Sequence, residues 1–238
     1  VHPWIENVTL QAPTTPITVL PPDPATTVVW RMTRAGESDV LIAGPRTKAA
    51  YHTSKDLPVC LRLRIRPGRA LPLLGAAADE LVDRTVPLSD LTGPSANALA
   101  GRLASYKDEP EQAAAVLGDF LLGRLPRRLP DRLELVGEAA AELGAGGAPR
   151  TVGETAQRLG VSERYLRRVF REAVGVSPKH FARITRVRTV IAQARRSWSD
   201  AAACAGYTDQ SHLIADFRSL MRVTPEAYAT GRVPLSTC

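Results

Sequence analysis

Cysteine is scarce in these 238 residues: only Cys60, Cys204 and Cys238, far apart and odd in number. That excludes a disulfide scaffold and fits three reduced thiols of a cytoplasmic protein. Cys204, among alanines, reads as core; Cys238 reads as exposed. Histidine is scarce as well for a metal protein. Only His2 and His52 fall in the N-terminal two-thirds, so no clustered ligand set, and no metal, is expected there. No apolar run reaches 18 residues, which argues against a membrane span. The opening VHPWIENVTL has no basic segment followed by an apolar one, so no signal peptide is expected. A phosphate-binding glycine loop and a GxSxG elbow are missing as well. With no nucleophile–base pair in view, neither catalysis nor a cofactor is expected.

Apolar residues at 44% and charged residues at 23% describe a chain that folds in water. Its length suits two domains with separate cores. The net charge of +7 is unevenly placed: 17 basic and 17 acidic residues in 1–150, but 14 basic and 7 acidic in 151–238. A basic module joined to a neutral one suits a polyanionic partner.

The expected fold class is α+β. Residues 1–93 read as mainly β, with ITVLPP (17–22), TTVVWRM (26–32), SDVLIAG (38–44) and VCLRLRIRPG (59–68) as short strands between turn residues. The last alternates, with Val59, Leu61, Leu63 and Ile65 on one face and Cys60, Arg62, Arg64 and Arg66 on the other. That second face reads as solvated, or as a seat for an acidic ligand. Trp4 and Trp30 read as core or interface. Residues 73–83 read as one short helix. From 95 to 144 the period changes to that of three Ala/Leu-rich helices. Leu99, Leu103, Leu117, Leu121, Leu125 and Leu135 give them apolar stripes, for a dimer surface or for the domain's own core. GAGGAP at 144–149 is the clearest break. The expected domains are therefore 1–143, regulatory or oligomerising, a linker at 144–150, and 151–238.

The last domain contains a repeat. A shift of 47 positions lays Ala156 on Ala203, Leu166 on Leu213, Phe170 on Phe217, Val176-Ser177-Pro178 on Val223-Thr224-Pro225, and Phe181 on Tyr228. Each copy has the logic of a helix-turn-helix. In the first, Val152, Ala156 and Leu159 line one side of a short helix, Gly160 ends it, and Ser162 caps the next. That helix, 163–174, turns Leu166, Val169, Phe170 and Ala173 inward. Arg164, Arg167, Arg168 and Arg171 recur at helical spacing on another face, where they suit phosphates and base edges. Arg171 and Arg186 read equally well as solvated. In the second copy Gly206 is the breaker, Thr208 or Asp209 the cap, and 209–220 the helix. Gln210, Ser211 and Ile214 face out near its start, and His212 reads as a packed helix residue within reach of a phosphate. Between the copies, residues 177–196 read as a helix of ~20 residues and ~30 Å, close to one turn of DNA.

LGVSERYLRRVF, GVSPKHF, GYTDQSHLIADF and TPEAY, within 151–230, resemble the DNA-binding region of the AraC/XylS family of transcriptional regulators. The resemblance implies promoter recognition by two helix-turn-helix units joined by a central helix. It implies base-facing positions at Arg164, Arg167 and Arg168, then at Gln210, Ser211, Ile214 and Ala215. Two departures stand out. Ala215 occupies a place often polar or basic, and Arg222 replaces a usual glycine that Gly175 retains. GPRTKAAY, RIRPGRALPLLGAAADEL and DRTVPLSDL resemble the N-terminal domain of actinobacterial members, which implies a small β-rich domain and no particular effector. The expected partners are promoter double-stranded DNA, RNA polymerase, a second copy of the chain and a small-molecule effector, with no membrane. Two alternatives differ in class: a helical interaction or architectural protein, and an alkylation-repair regulator, which would need a reactive cysteine that Cys60 has no neighbours to supply.

Overall fold

A computed structural model describes residues 2–10, 16–130, 132–145, 150–193 and 198–235. Seven strands come first, interrupted and followed by helices: β1 (Ile5–Leu10), β2 (Ile17–Leu20), β3 (Thr27–Met32), β4 (Ser38–Ala43), β5 (Ala50–Thr53), β6 (Val59–Ile65), α1 (Ala70–Leu74), β7 (Thr85–Pro87), α2 (Leu88–Thr92), α3 (Ser95–Ala104), α4 (Pro110–Leu122) and α5 (Arg132–Leu143). Six helices follow: α6 (Val152–Arg158), α7 (Glu163–Val174), α8 (Pro178–Gln193), α9 (Trp198–Cys204), α10 (Gln210–Met221) and α11 (Pro225–Ala229). The architecture is an antiparallel β region followed by an all-helical one, as the α+β reading expects.

The main sheet has the order β1-β6-β3-β4-β7, and β2 pairs with β5 in a separate two-stranded ribbon. Alternation on β6 sets the two faces of the main sheet. Leu61, Leu63 and Ile65, with Val28, Trp30 and Ile42, form a buried face under α3 and α4. Trp30 is fully buried and Trp4 nearly so, with the Arg69 guanidinium 5.1 Å from the Trp4 ring, so both indoles are core. The opposite face is not simply solvated. Cys60 is buried, and Arg64 is 13% exposed between Glu6 and Asp23.

The helix expected over 73–83 is two pieces. Gly75 takes φ 74° and closes α1, and residues 78–81 form a separate 3-10 turn. Leu99, Leu103, Leu117 and Leu121 are buried in the N-terminal core, with Leu125 partly buried against it. Leu135 packs against the C-terminal core. These leucines close the two cores.

Packing groups α5 with the C-terminal helices. Its Val136, Ala139, Ala140 and Leu143 share one core with Leu166, Val169, Phe170 and Phe181. Glu142 on α5 meets Arg158 on α6 and lies 3.8 Å from Arg150. Most of the GAGGAP break, residues 146–149, lies outside the described residues. Cys204 is exposed rather than core, because Ala201 and Ala202 supply the buried side of α9. Cys238 lies outside the described residues.

Candidate nucleic-acid interface

The first unit is built by its caps. Thr151 and Glu154 form a reciprocal capping box at the start of α6. Gly160, at φ 69°, turns the chain, and the Ser162 hydroxyl accepts the Tyr165 N–H at 3.2 Å to start α7. Gly175 ends α7 at φ 86°. A Cβ there would also lie 2.8 Å from the Ala78 carbonyl oxygen and 2.9 Å from Pro45, so this glycine is required both by backbone angle and by close approach.

The second unit repeats this at the same offset. Asp209, not Thr208, is the cap, and its carboxylate accepts the His212 N–H at 2.7 Å. Helices α7 and α10 begin at 163 and 210 and end at 174 and 221, so the 47-residue shift holds at both ends. The internal aromatic pairs match too: Phe170–Phe181 at 5.3 Å and Phe217–Tyr228 at 5.7 Å, both edge to face. Arg222 takes φ 61° at the position of Gly175. A non-glycine residue there costs about 1–2 kcal/mol.

The candidate contact residues fall as follows. Arg164, Arg167, Arg168 and Arg171 are all exposed on one side of α7. Arg167 pairs with Glu163, and Arg168 reaches Glu172 at 3.5 Å and lies over the Tyr165 ring at 5.3 Å. Exposed pairs of this kind are worth only a few tenths of a kcal/mol, so they can be exchanged for phosphate at little cost. Arg164 and Arg171 make no ion pair among the described residues. On α10, Gln210 and Ser211 are exposed, Ile214 is half-buried, and Ala215 is exposed where α7 has Arg168. His212 stands edge-on to Tyr207 at 5.4 Å with half of its side chain exposed, so it is a packed helix residue with one accessible edge.

Two residues were missed by sequence reasoning. Arg218 is exposed and matches Arg171 under the 47-residue shift, a signal that the repeat itself carries. Asp216 takes the place of the buried Val169, at 5% exposure. Its carboxylate accepts from Arg183 at 2.8 Å, from Arg186 at 3.5 Å and from the Tyr207 hydroxyl at 3.3 Å. Arg186 also lies 5.0 Å from the Tyr207 ring. It is therefore a packing residue and not a solvated one. Burial, then the Asp216 charge, pushes the Tyr207 hydroxyl well above its ordinary pKa.

The described part of α8 between the units has 16 residues, ~24 Å at 1.5 Å per residue, and residues 194–197 lie outside the described set. The helix also ties the reader to the β region. Arg188 lies 3.1 Å from Asp23 and donates to the Pro22 carbonyl. The ribbon docks directly on the second unit: Ala49 N–H donates to the Leu220 carbonyl, and the Tyr51 hydroxyl donates to the Met221 carbonyl at 2.5 Å. Tyr51 is fully buried among Ile184, Val187, Leu213 and Phe217. Burial raises its pKa to about 12.

The ribbon's other face closes a cavity of about 830 Å³ against the main sheet. Thr18, Leu20 and His52 come from the ribbon; Val29, Leu41, Cys60 and Arg62 come from the sheet. Burial, then the Arg62 charge, lowers the pKa of Arg46 at the cavity edge. Among the described residues no group of three or more His, Cys, Asp or Glu could hold a metal ion, and no helix is long and apolar enough to cross a membrane.

Residues 155–231 match a family model described as a helix-turn-helix domain. No curated protein matches the chain with significance. Solved structures similar to it include ToxT of Vibrio cholerae. An apo variant from strain SCE256 gives 12% identity, 94% of this chain and 96% of that one, at a TM-score of 0.48. Wild-type ToxT of that strain, bound to an unsaturated fatty acid, gives 12% identity and 98% of each chain at 0.49. ToxT of Vibrio cholerae O395 gives 10% identity, with 94% of this chain and 96% of that one, at 0.48. Residues 155–231 form a helix-turn-helix domain of AraC type.

Proposed function

We propose that the chain reads two successive major-groove segments of promoter DNA, α7 taking the first and α10 the second. The observation that carries this is the duplicated cap-to-cap geometry, which presents an arginine face on α7 and a polar helix start on α10 in equivalent positions. Arg164 and Arg167 are assigned to bases, Arg168 and Arg171 to phosphates or base edges, and Gln210, Ser211 and Ile214 to a weaker second half-site, with His212 at a phosphate. Ala215 removes from α10 the cation that Arg168 supplies to α7, so the first unit dominates affinity. Replacement of Arg164 by Ala is expected to cost about 1–3 kcal/mol and to relax base preference at one position. Replacement of Arg171 by Ala is expected to weaken all sequences equally, with a salt slope smaller by about 1. Selection from a random duplex pool followed by salt titration tests both. A folded protein that enriches no motif would return the chain to the interaction-protein reading.

Residues 1–143 are the regulatory part of this reading, acting in the bacterial cytoplasm, and the cavity between ribbon and sheet is its effector site. Its volume suits a drug-sized ligand, and Arg46 and Arg62 at its edge favour an anionic group. The ribbon has one face on the cavity and the other on α10, so a ligand that moves it moves the second unit. A bound effector at a hundred times its Kd is expected to stabilise by about 2.7 kcal/mol. Leu41→Trp, which fills the cavity, abolishes that gain; a gain that survives the substitution removes the effector from this cavity. RNA polymerase and a second copy on adjacent DNA are the remaining partners of the reading, and footprint length on the selected motif distinguishes one copy from two.

A further inference from the structure

Residues 124–132 read RLPRRLPDR, a basic run between α4 and α5 that the helix-turn-helix units do not use. Arg124, Arg127 and Arg128 are exposed, and none of them is in an ion pair among the described residues. Arg124 stands 5.8 Å from the Phe120 ring, which orients it. Pro126 and Pro130 hold their own φ angles, which lowers the entropy lost when the segment is gripped.

The segment is mounted beside the first recognition helix. Arg124, Pro126, Arg128 and Pro130 border a cleft of about 290 Å³ against Leu71 and Pro72 of α1. Pro130 and Arg132 then border a second cleft, of about 270 Å³, with Glu172 and Ala173 of α7. Arg132 donates to Glu172 at 2.6 Å, and the other oxygen of Glu172 is 3.5 Å from Arg168. One carboxylate thus separates the base of the segment from the arginine face of α7. Asp79 and Glu80 border the same second cleft and repel phosphate there, so the phosphate contact falls to Arg124, Arg127 and Arg128.

We propose that Arg124, Arg127 and Arg128 form a third DNA contact, which grips the phosphate backbone beside the groove entered by α7. The proposal rests on the reading of α7 as a recognition helix. The partner is duplex DNA, recognised by charge and not by sequence, because residues 124–130 lie in no helix or strand that could enter a groove. It sits outside the helix-turn-helix domain, so it links the grip on DNA to the position of the N-terminal region.

The test uses the full chain and a mixed-sequence duplex several turns long. Each phosphate contact contributes about 0.9 to the slope of log K against log salt. The triple variant R124Q/R127Q/R128Q is expected to have a slope shallower by about 2–3 and an unchanged preference for the selected motif. The corresponding triple lysine variant is expected to restore the wild-type slope. A wild-type slope in the glutamine variant, with a reduced slope in R171A, overturns this contact and leaves the α7 reading standing. Unchanged slopes in both overturn the two together. A lysine variant as impaired as the glutamine one, or a glutamine variant that keeps its DNA slope but loses retention on polyglutamate, also overturns it, the latter in favour of an acidic protein surface.

Discussion

Asp216→Ala is expected to destabilise the chain by about 3–5 kcal/mol, a large share of the total for an ordinary domain. The carboxylate is nearly inaccessible and takes hydrogen bonds from Arg183, Arg186 and Tyr207. Its removal takes the acceptor from Arg186 and from the Tyr207 hydroxyl and leaves Arg183 with the Ser219 hydroxyl, and burying a charge without a partner costs more than the pair gained. The first unit shows what an apolar solution looks like, since Val169 fills the matched position. Asp216→Val alone is therefore expected to be nearly as damaging, because Arg183 and Arg186 stay behind. The double variant R183M/D216V, which removes one cation with the anion, is expected to recover about half of the loss or more. Denaturant unfolding of the four proteins measures this. Equal midpoints for wild type and Asp216→Ala would refute the buried hub.

Asp216 also shows where the sequence stops speaking. A lone aspartate in a helical pattern looks like surface, and its three partners come from α8 and from the turn before α10, which no local period connects. The repeat was legible for the opposite reason. Caps, breakers and inward positions of a helix-turn-helix lie within about twenty residues of one another, and two copies confirm each other's register. The β region was half legible. Four of the seven strands appeared as apolar runs, but β1 is mostly exposed and polar, and β5 and β7 are four and three residues long and carry too little alternation to stand out. The ribbon was missed with β5, and with it the docking of Tyr51 on Met221 and the cavity on its other side. The alternation of β6 was visible, yet not what lies over its arginine face: Asp23, 41 residues away, and Arg188 of α8 make that face an internal one. The leucine stripes of α3 and α4 fitted a core and a dimer surface equally well, and only packing decides between those. Arg218 was available from the repeat itself.

Phe170→Ala and Phe217→Ala are each expected to cost about 3–5 kcal/mol, for the same local reason and with different consequences elsewhere. Both rings are fully buried, and each meets its own aromatic partner edge to face. The void left by Phe170 opens against Val136, Ala139 and Leu143 of α5 and Phe181 of α8, so its damage stays among α5, α6, α7 and the start of α8. The void left by Phe217 opens against Trp198, Tyr228 and the cluster that contains Tyr51, so its damage enters the ribbon. Hydrogen exchange on the full chain separates the two. Phe170→Ala should accelerate amides of α5 to α7 and of the start of α8, and leave β2 and β5 near wild type. Phe217→Ala should accelerate α10 and the ribbon together, including the Ala49 N–H that donates to Leu220. Unfolding midpoints within about 0.5 kcal/mol of wild type would dismiss the paired cores. Full loss in Phe217→Ala with undisturbed exchange at Ala49 would keep the core but break the mechanical link from cavity to second unit, since a ribbon that ignores a collapse on one of its faces has no means of reporting a ligand on the other.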